Sequence, residues 1–330
     1  MRKSIKAHHP FLSYAFIPLS GPEKTGFFLL FLLISRETRY ILAASSRIFQ
    51  FNGGGHFPIM KRHDFTTIHE FWRGIDRLAV TTHCGYIGRY PENSLTGLKA
   101  AVELGTDWVE FDVRATADGE LVLLHDPTID RIANGTGPVN QFTYAELAKL
   151  NFSYFEYFVD CSGRKLAAPR YEKFPITRFI DVLDALRGKV FMNIQVYAGT
   201  QEAEKRLCGI FREYDLYEQA YFTMSNYEEA RFIRSVDPDI ELCVLDRPTT
   251  MAVLHTLRDF GCHVAQPRWL EITPEYCETS RKLGIFSNVY YANLERDIRR
   301  YAEMGIQGIL TDYPENAIAY NESVKKAGAR

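Results

Sequence analysis

An α/β protein of the (β/α)8, or TIM-barrel, class is predicted by the alternation of short apolar strands with amphipathic helices from residue 78 onward. Strands end near His83, Asp112, Gln195, Phe222, Leu245, Ala265, Tyr291 and Thr311. Helices are expected over 93–104, 177–187, 200–214, 227–236, 249–260, 273–283, 294–304 and from Glu315 onward. Eight such repeats favour a closed barrel over an open doubly wound sheet, and no G-x-G-x-x-G or G-x-x-x-x-G-K-[ST] marks a nucleotide fold. A barrel uses about 250 residues, so the 330 present leave room for an N-terminal extension.

That extension is expected over residues 1–70, poorly packed, with the barrel over 71–330. Phe27 to Ile34 is an apolar run far short of the ~20 residues needed to cross a bilayer, and Arg36, Glu37 and Arg39 follow it closely. It also makes a poor signal peptide, because Tyr40 to Ser46 offers a vague small-residue site only after those charges. Gly53-Gly54-Gly55 followed by Met60-Lys61-Arg62 suggests Met60 as the native start.

The stretch 78–126 organises the chain. Apolar Leu78 to Val80 ends in His83, and a helix opening at Asn93 carries Leu95, Leu98, Val102 and Leu104 on its apolar face. In Trp108-Val109-Glu110-Phe111-Asp112-Val113, alternation places Glu110 and Asp112 on one side of a strand and Val109, Phe111 and Val113 on the other. A polar turn at Asp118-Gly119 leads to a second apolar run, Leu121 to Leu124, which delivers His125-Asp126. Two histidines and two carboxylates thus stand at strand ends, where barrels place their chemistry.

Residues 126–175 are too long for an ordinary βα loop and form the insertion after the second strand. Its Phe152, Tyr154, Phe155, Tyr157 and Phe158 either line a cleft or make a local core. Asn134-Gly135-Thr136-Gly137 reads as a tight loop.

Composition bounds the function. Hydrophobic content of 46% and aromatic content of 14% suffice for a large core, and a net charge of -2 gives no basic excess for nucleic acid or anionic membrane. A small-molecule partner is expected, with no nucleic acid and no stable membrane insertion. The six cysteines (Cys84, Cys161, Cys208, Cys243, Cys262 and Cys277) are scattered without C-x-x-C or zinc spacing, as in a reduced, cytoplasmic protein.

The string H-x-G-x(5)-P-E-N-S-L, then E-x-D, then H-D-P-T-I-D-R-x-x-N-G-T-G resembles the glycerophosphodiester phosphodiesterase family, whose barrel is shared with phosphatidylinositol-specific phospholipase C. The likeness runs from about Leu78 to Tyr320 and includes Gly308-Ile309-Leu310-Thr311-Asp312-Tyr313-Pro314. It implies a metal-dependent phosphodiesterase that releases glycerol 3-phosphate and an alcohol. Glu110 and Asp112 are the sharpest metal candidates, and their oxygens suit Mg2+ or Ca2+. His83 and His125 are the acid and base, since imidazole titrates near neutral pH and serves in either role. The resemblance implies attack by the glycerol 2-hydroxyl to give a cyclic phosphate; which histidine does which is left open.

Three positions depart from the family pattern. Cys84 stands where arginine normally follows the first histidine, and Gln195 and Tyr197 replace the glutamate and lysine of N-x-E-x-K. Gln195 keeps a carbonyl for a third metal ligand without the charge. Cys84, next to His83 on a strand, is expected to point to the other face as a small apolar filler. Substrate contacts are expected from Arg89, Tyr197, Arg268 and Tyr290, with Arg114 another cation able to replace those lost. Trp269 and Tyr291 also fall near the mouth. Asp312 is read as structural, bonding loop amides or orienting a mouth residue. His63, His69, His255 and His263 match nothing and are read as surface or structural. The alternatives to hydrolysis of glycerophosphodiesters are a catalytically impaired protein that binds a phosphodiester or polyol phosphate, or a phosphodiesterase with a changed substrate.

Overall fold

The computed structural model describes residues 65–153, 174–245 and 247–328, together with strand residues 13–16, 29–34, 39–42, 157–159 and 165–167. Residues Met1–Pro58 form one compact unit and Ile59–Arg330 another. The first contains an antiparallel sheet of Ser13–Phe16, Leu29–Ile34 and Arg39–Leu42, so the apolar run 27–34 supplies a strand. No helix among the described residues is long and apolar enough to cross a membrane.

The second unit is a nearly closed barrel of eight parallel strands. In chain order these are β1 (Ala79–Thr82), β2 (Trp108–Ala115), β3 (Phe191–Val196), β4 (Ala220–Met224), β5 (Leu242–Val244), β6 (Val264–Ala265), β7 (Phe286–Tyr290) and β8 (Gly308–Thr311). Parallel ladders run from β5 through β4, β3, β2, β1, β8 and β7 to β6. No ladder among the described residues joins β5 to β6; there Arg247 Nη1 donates to the Gln266 carbonyl at 3.0 Å. Side-chain oxygens of Ser94, Thr200, Asn226, Thr250 and Thr273 cap the helices that follow β1, β3, β4, β5 and β6. Each cap satisfies an orphan amide and fixes where the loop above the strand ends.

Alternation sorts the layers. Val109, Phe111 and Val113 of β2, and Met192, Ile194 and Val196 of β3, join the main apolar core beneath the helices. Trp108 and Phe191, of the opposite parity, face the barrel interior at its lower end, where they meet Tyr221, Phe286 and the helix Ile68–Gly74. Phe71 is fully buried there, and Trp72 stacks on Trp108 with centroids 5.8 Å apart. The extension boundary expected at residue 70 therefore falls inside a helix that packs against the barrel floor. With that floor filled by aromatic rings, the open interior positions of β2 and β3 lie at the strands' C-terminal ends.

The insertion has its own small core. Ile129, Ile132, Ala133, Val139, Leu147 and Phe152 pack with Val122 and Leu124 of the segment after β2. Within that segment Leu121–Leu123 pairs antiparallel with β2. Phe152 thus serves local packing, while Tyr154 and Phe155 lie outside the described residues, as do the side chains of Tyr157 and Phe158.

Candidate active site

β1 ends at Thr82, and the His83 amide donates to the Thr311 carbonyl at 3.0 Å, placing the imidazole at the C-terminal end of the barrel beside β8. His83 Nδ1 lies 2.8 Å from Asp312 Oδ1, and its Nε2 lies 3.3 Å from the Tyr291 hydroxyl. Burial pulls the imidazole down, but the hydrogen bond and charge of Asp312, with Glu110 and Asp112 nearby, outweigh it and raise its pKa to about 9.

Glu110 and Asp112, two residues apart on β2, both project inward and are 1% and 0% exposed. Glu110 Oε2 accepts from the Cys84 amide at 2.7 Å, and Asp112 Oδ2 accepts from Asn93 Nδ2 at 2.8 Å. The remaining oxygens, Glu110 Oε1 and Asp112 Oδ1, are buried without a hydrogen-bond partner. Burial and the Asp112 charge push the Glu110 carboxyl up to about 8. Two neighbouring buried carboxyl groups, each with one unpaired oxygen, are a high-energy arrangement that a cation relieves.

Cys84 does not point away. Its φ of 46° is left-handed, which breaks strand alternation and turns the side chain towards the carboxylates. Its Sγ donates to Asp112 Oδ2 at 3.3 Å, and one ligand atom each of His83, Cys84 and Glu110 lies within 4.8 Å of the others. The expected apolar filler is thus a polar contact in the site; alternation fails because the strand has already ended. Burial, then the charges of Asp112 and Glu110, hold the thiol well above its ordinary pKa, so it stays a donor.

Gln195 pairs in register with Asp112 across β2 and β3. Its Nε2 donates to the Tyr197 hydroxyl. Burial and the Asp112 and Glu110 charges raise the Tyr197 phenol, which remains protonated. The Tyr197 ring also meets His125, with centroids 5.6 Å apart, and carries the Arg114 guanidinium 4.7 Å above it.

His125 is 46% exposed, and its Nδ1 lies 2.8 Å from Asp126 Oδ1. Arg131 continues the chain: its Nε donates to Asp126 Oδ2 at 2.7 Å, and its two terminal nitrogens reach Glu92 at 2.5 and 2.7 Å. Arg114 spends Nε and Nη2 on the His125 carbonyl at 2.9 and 2.6 Å, so it fixes the backbone of that histidine. Residues far apart in sequence thereby hold His125 beside Tyr197.

The arginines expected at the substrate sit further out. Arg89 bonds Tyr86 and pairs with Glu315 at 3.2 Å while 63% exposed. Arg268 is exposed, and its backbone amide donates to Glu271. Tyr290 is covered instead by Arg247, whose guanidinium lies 4.5 Å from the ring centroid. Arg247, after β5, is a mouth cation that no motif marked.

Two asparagines were also missed as site residues. Asn93, at φ 55°, brackets Asp112, accepting its amide at 2.9 Å while donating to its carboxylate. Asn293 does the same for Asp312, accepting its amide at 2.9 Å and donating to Oδ2 at 2.8 Å. The helix begins at Leu95 with Ser94 as its cap, so Asn93 stands outside the helix expected from 93. The available signal was P-E-N-S itself, whose glutamate holds Arg131, whose asparagine holds Asp112 and whose serine caps the helix.

Residues 83–316 match the model of the Glycerophosphoryl diester phosphodiesterase family. A glycerophosphodiester phosphodiesterase from Caldanaerobacter subterraneus is 30% identical over 253 residues, spanning 76% of this chain and 98% of the relative. Among solved structures, a glycerophosphodiester phosphodiesterase from Agrobacterium tumefaciens superposes with a TM-score of 0.63 at 24% identity, over 73% of this chain and 99% of that one. A phosphodiesterase from Oleispira antarctica, solved with the product sn-glycerol-3-phosphate, gives 0.62 at 21% identity over 73% and 96%.

Proposed function

Because the chain belongs to the glycerophosphoryl diester phosphodiesterase family of phosphoric diester hydrolases, we propose that it cleaves glycerophosphodiesters to glycerol 3-phosphate and an alcohol. The convergence of His83 with the buried pair Glu110 and Asp112 at the barrel mouth carries this reading.

The unpartnered oxygens of Glu110 and Asp112 fit a divalent cation, and the Gln195 carbonyl is a weaker third donor. All-oxygen donation suits Mg2+ or Ca2+. When bound, the cation neutralises phosphate charge and acidifies the attacking hydroxyl.

His83, whose protonated form is favoured by the Asp312 carboxylate at Nδ1, gives its Nε2 proton to the leaving alkoxide. His125, steadied at Nδ1 by Asp126, takes the proton of the glycerol 2-hydroxyl at its other nitrogen. That oxygen bonds to phosphorus as the bond to the head-group oxygen breaks, leaving a cyclic phosphate. Water then opens the ring with the two proton transfers reversed, and both histidines return to their starting states. The thiol of Cys84 remains a hydrogen-bond donor to Asp112 and takes no part as a nucleophile.

Tyr197 and Tyr290 contact substrate at the mouth, with Arg89 and Arg268 on its rim for the head group. A cytoplasmic setting is supported by the free, buried state of Cys84, Cys208, Cys243, Cys262 and Cys277.

The test is release of glycerol 3-phosphate from a panel of glycerophosphodiesters with EDTA, Mg2+ or Ca2+, beside a His83→Ala/His125→Ala control. Cation-dependent turnover that the control lacks supports the reading. Folded protein that turns over no substrate shifts the weight to phosphodiester binding, which the neutral Cys84, Gln195 and Tyr197 would then explain.

A further inference from the structure

Three side chains from three elements converge at the opposite end of the barrel, away from the carboxylate pair. Glu241 immediately precedes β5, His263 immediately precedes β6, and His69 lies on the helix Ile68–Gly74 that packs against the barrel floor. Glu241 is 7% exposed, and its Oε2 lies 2.9 Å from His263 Nδ1 and 3.6 Å from His69 Nε2. Its Oε1 accepts the His263 backbone amide at 2.9 Å, which orients the carboxylate and leaves Oε2 to the two rings. One ligand atom from each residue lies within 4.8 Å of the other two. The imidazole planes cross at 89° with centroids 5.3 Å apart, so the rings approach the shared space from different directions.

A buried carboxylate calls for a positive partner. Among the described residues, the ion-pair partners of Glu241 are these two histidines, and a neutral imidazole brings no charge. Two imidazole nitrogens and one carboxylate oxygen form the donor set of zinc and its neighbours, in contrast to the all-oxygen pair at the mouth. The separations of 2.9 and 3.6 Å bracket about 3.3 Å, the ligand-to-ligand edge of a tetrahedron with ~2.0–2.1 Å bonds. His69 and His263 are 37% and 38% exposed, so an ion has an entry path and water can take the fourth position.

We propose that His69, Glu241 and His263 form a binding site for a zinc-class divalent ion, which clips the floor helix Ile68–Gly74 to the starts of β5 and β6. The site is independent of the hydrolytic reading, because no residue in it belongs to the barrel mouth. From the sequence its two histidines read as surface or structural and Glu241 carried no signal, since 69, 241 and 263 share no spacing motif.

Chelator-stripped full-length protein is titrated with Zn2+ alone by calorimetry, beside His69→Gln and His263→Gln. Each variant binds one equivalent fewer than the wild type, and the rise in thermal midpoint on adding Zn2+ shrinks in both. Hydrolysis with Mg2+ is unchanged. Equal stoichiometry and equal midpoint shifts in all three proteins overturn the assignment. A measurement on wild-type protein guards against misfolded variants: crystals grown with Zn2+ give an anomalous peak among His69 Nε2, His263 Nδ1 and Glu241 Oε2. No peak at that position overturns the proposal.

Discussion

Asp312 Oδ1 lies 2.8 Å from His83 Nδ1, joining the residues that directly follow β8 and β1 where those strands pair. This contact fixes the ring and outweighs burial to keep the imidazole charged. In Asp312→Asn the charge goes while the shape stays. The His83 pKa, read by NMR, falls from about 9, and kcat drops by roughly 10²- to 10⁴-fold, as when a histidine loses its orienting carboxylate. An unchanged His83 titration would show that Asp312 is not its electrostatic partner.

Asn93 grips Asp112 at both backbone and carboxylate. Asn93→Ala frees that carboxylate to rotate, so the affinity for Mg2+ or Ca2+ measured by calorimetry weakens about 10- to 100-fold. Circular dichroism should show the fold retained. Wild-type affinity in this variant would mean that Asp112 needs no clamp.

Gln195 stands in register with Asp112 but carries no charge. Gln195→Glu adds a third carboxylate, and cation affinity should rise by about tenfold, or ~1.4 kcal/mol. The same dissociation constant in both proteins would place Gln195 out of the cation's reach.

Asp126 is held down to about 2 because hydrogen bonds from Arg131 and His125 overcome the upward push of burial. Its folded pKa is below the ordinary 3.8, so its stabilising contribution is present above pH ~4 and is lost as pH falls towards 2. Urea unfolding at pH 7 should find Asp126→Asn less stable by about 1 kcal/mol, solvent screening at this partly exposed pair reducing the full linkage value, with the gap closing towards pH 2. A gap independent of pH would assign the loss to packing instead.

Strand and helix order, the inward parity of Glu110 and Asp112, and the positions of His83 and His125 at strand ends were all legible in the chain. These follow from local periodicity, because side chains on a strand alternate whatever the strand packs against. Alternation stopped being informative where the strand stopped. Cys84 turned into the site because its backbone is left-handed, a loop conformation that no hydrophobic pattern records. The partners of the functional groups were likewise decided only by closure of the barrel. Asp312 reaches His83 because β8 pairs with β1, Arg131 reaches Glu92 across the insertion, and His69 meets His263 because a short aromatic helix packs against the barrel floor. Each contact joins residues far apart in the chain. The sequence by itself therefore determined the fold class and the strand-end placement of the candidate histidines and carboxylates, while the tertiary structure decided their partners, which depend on burial and distance.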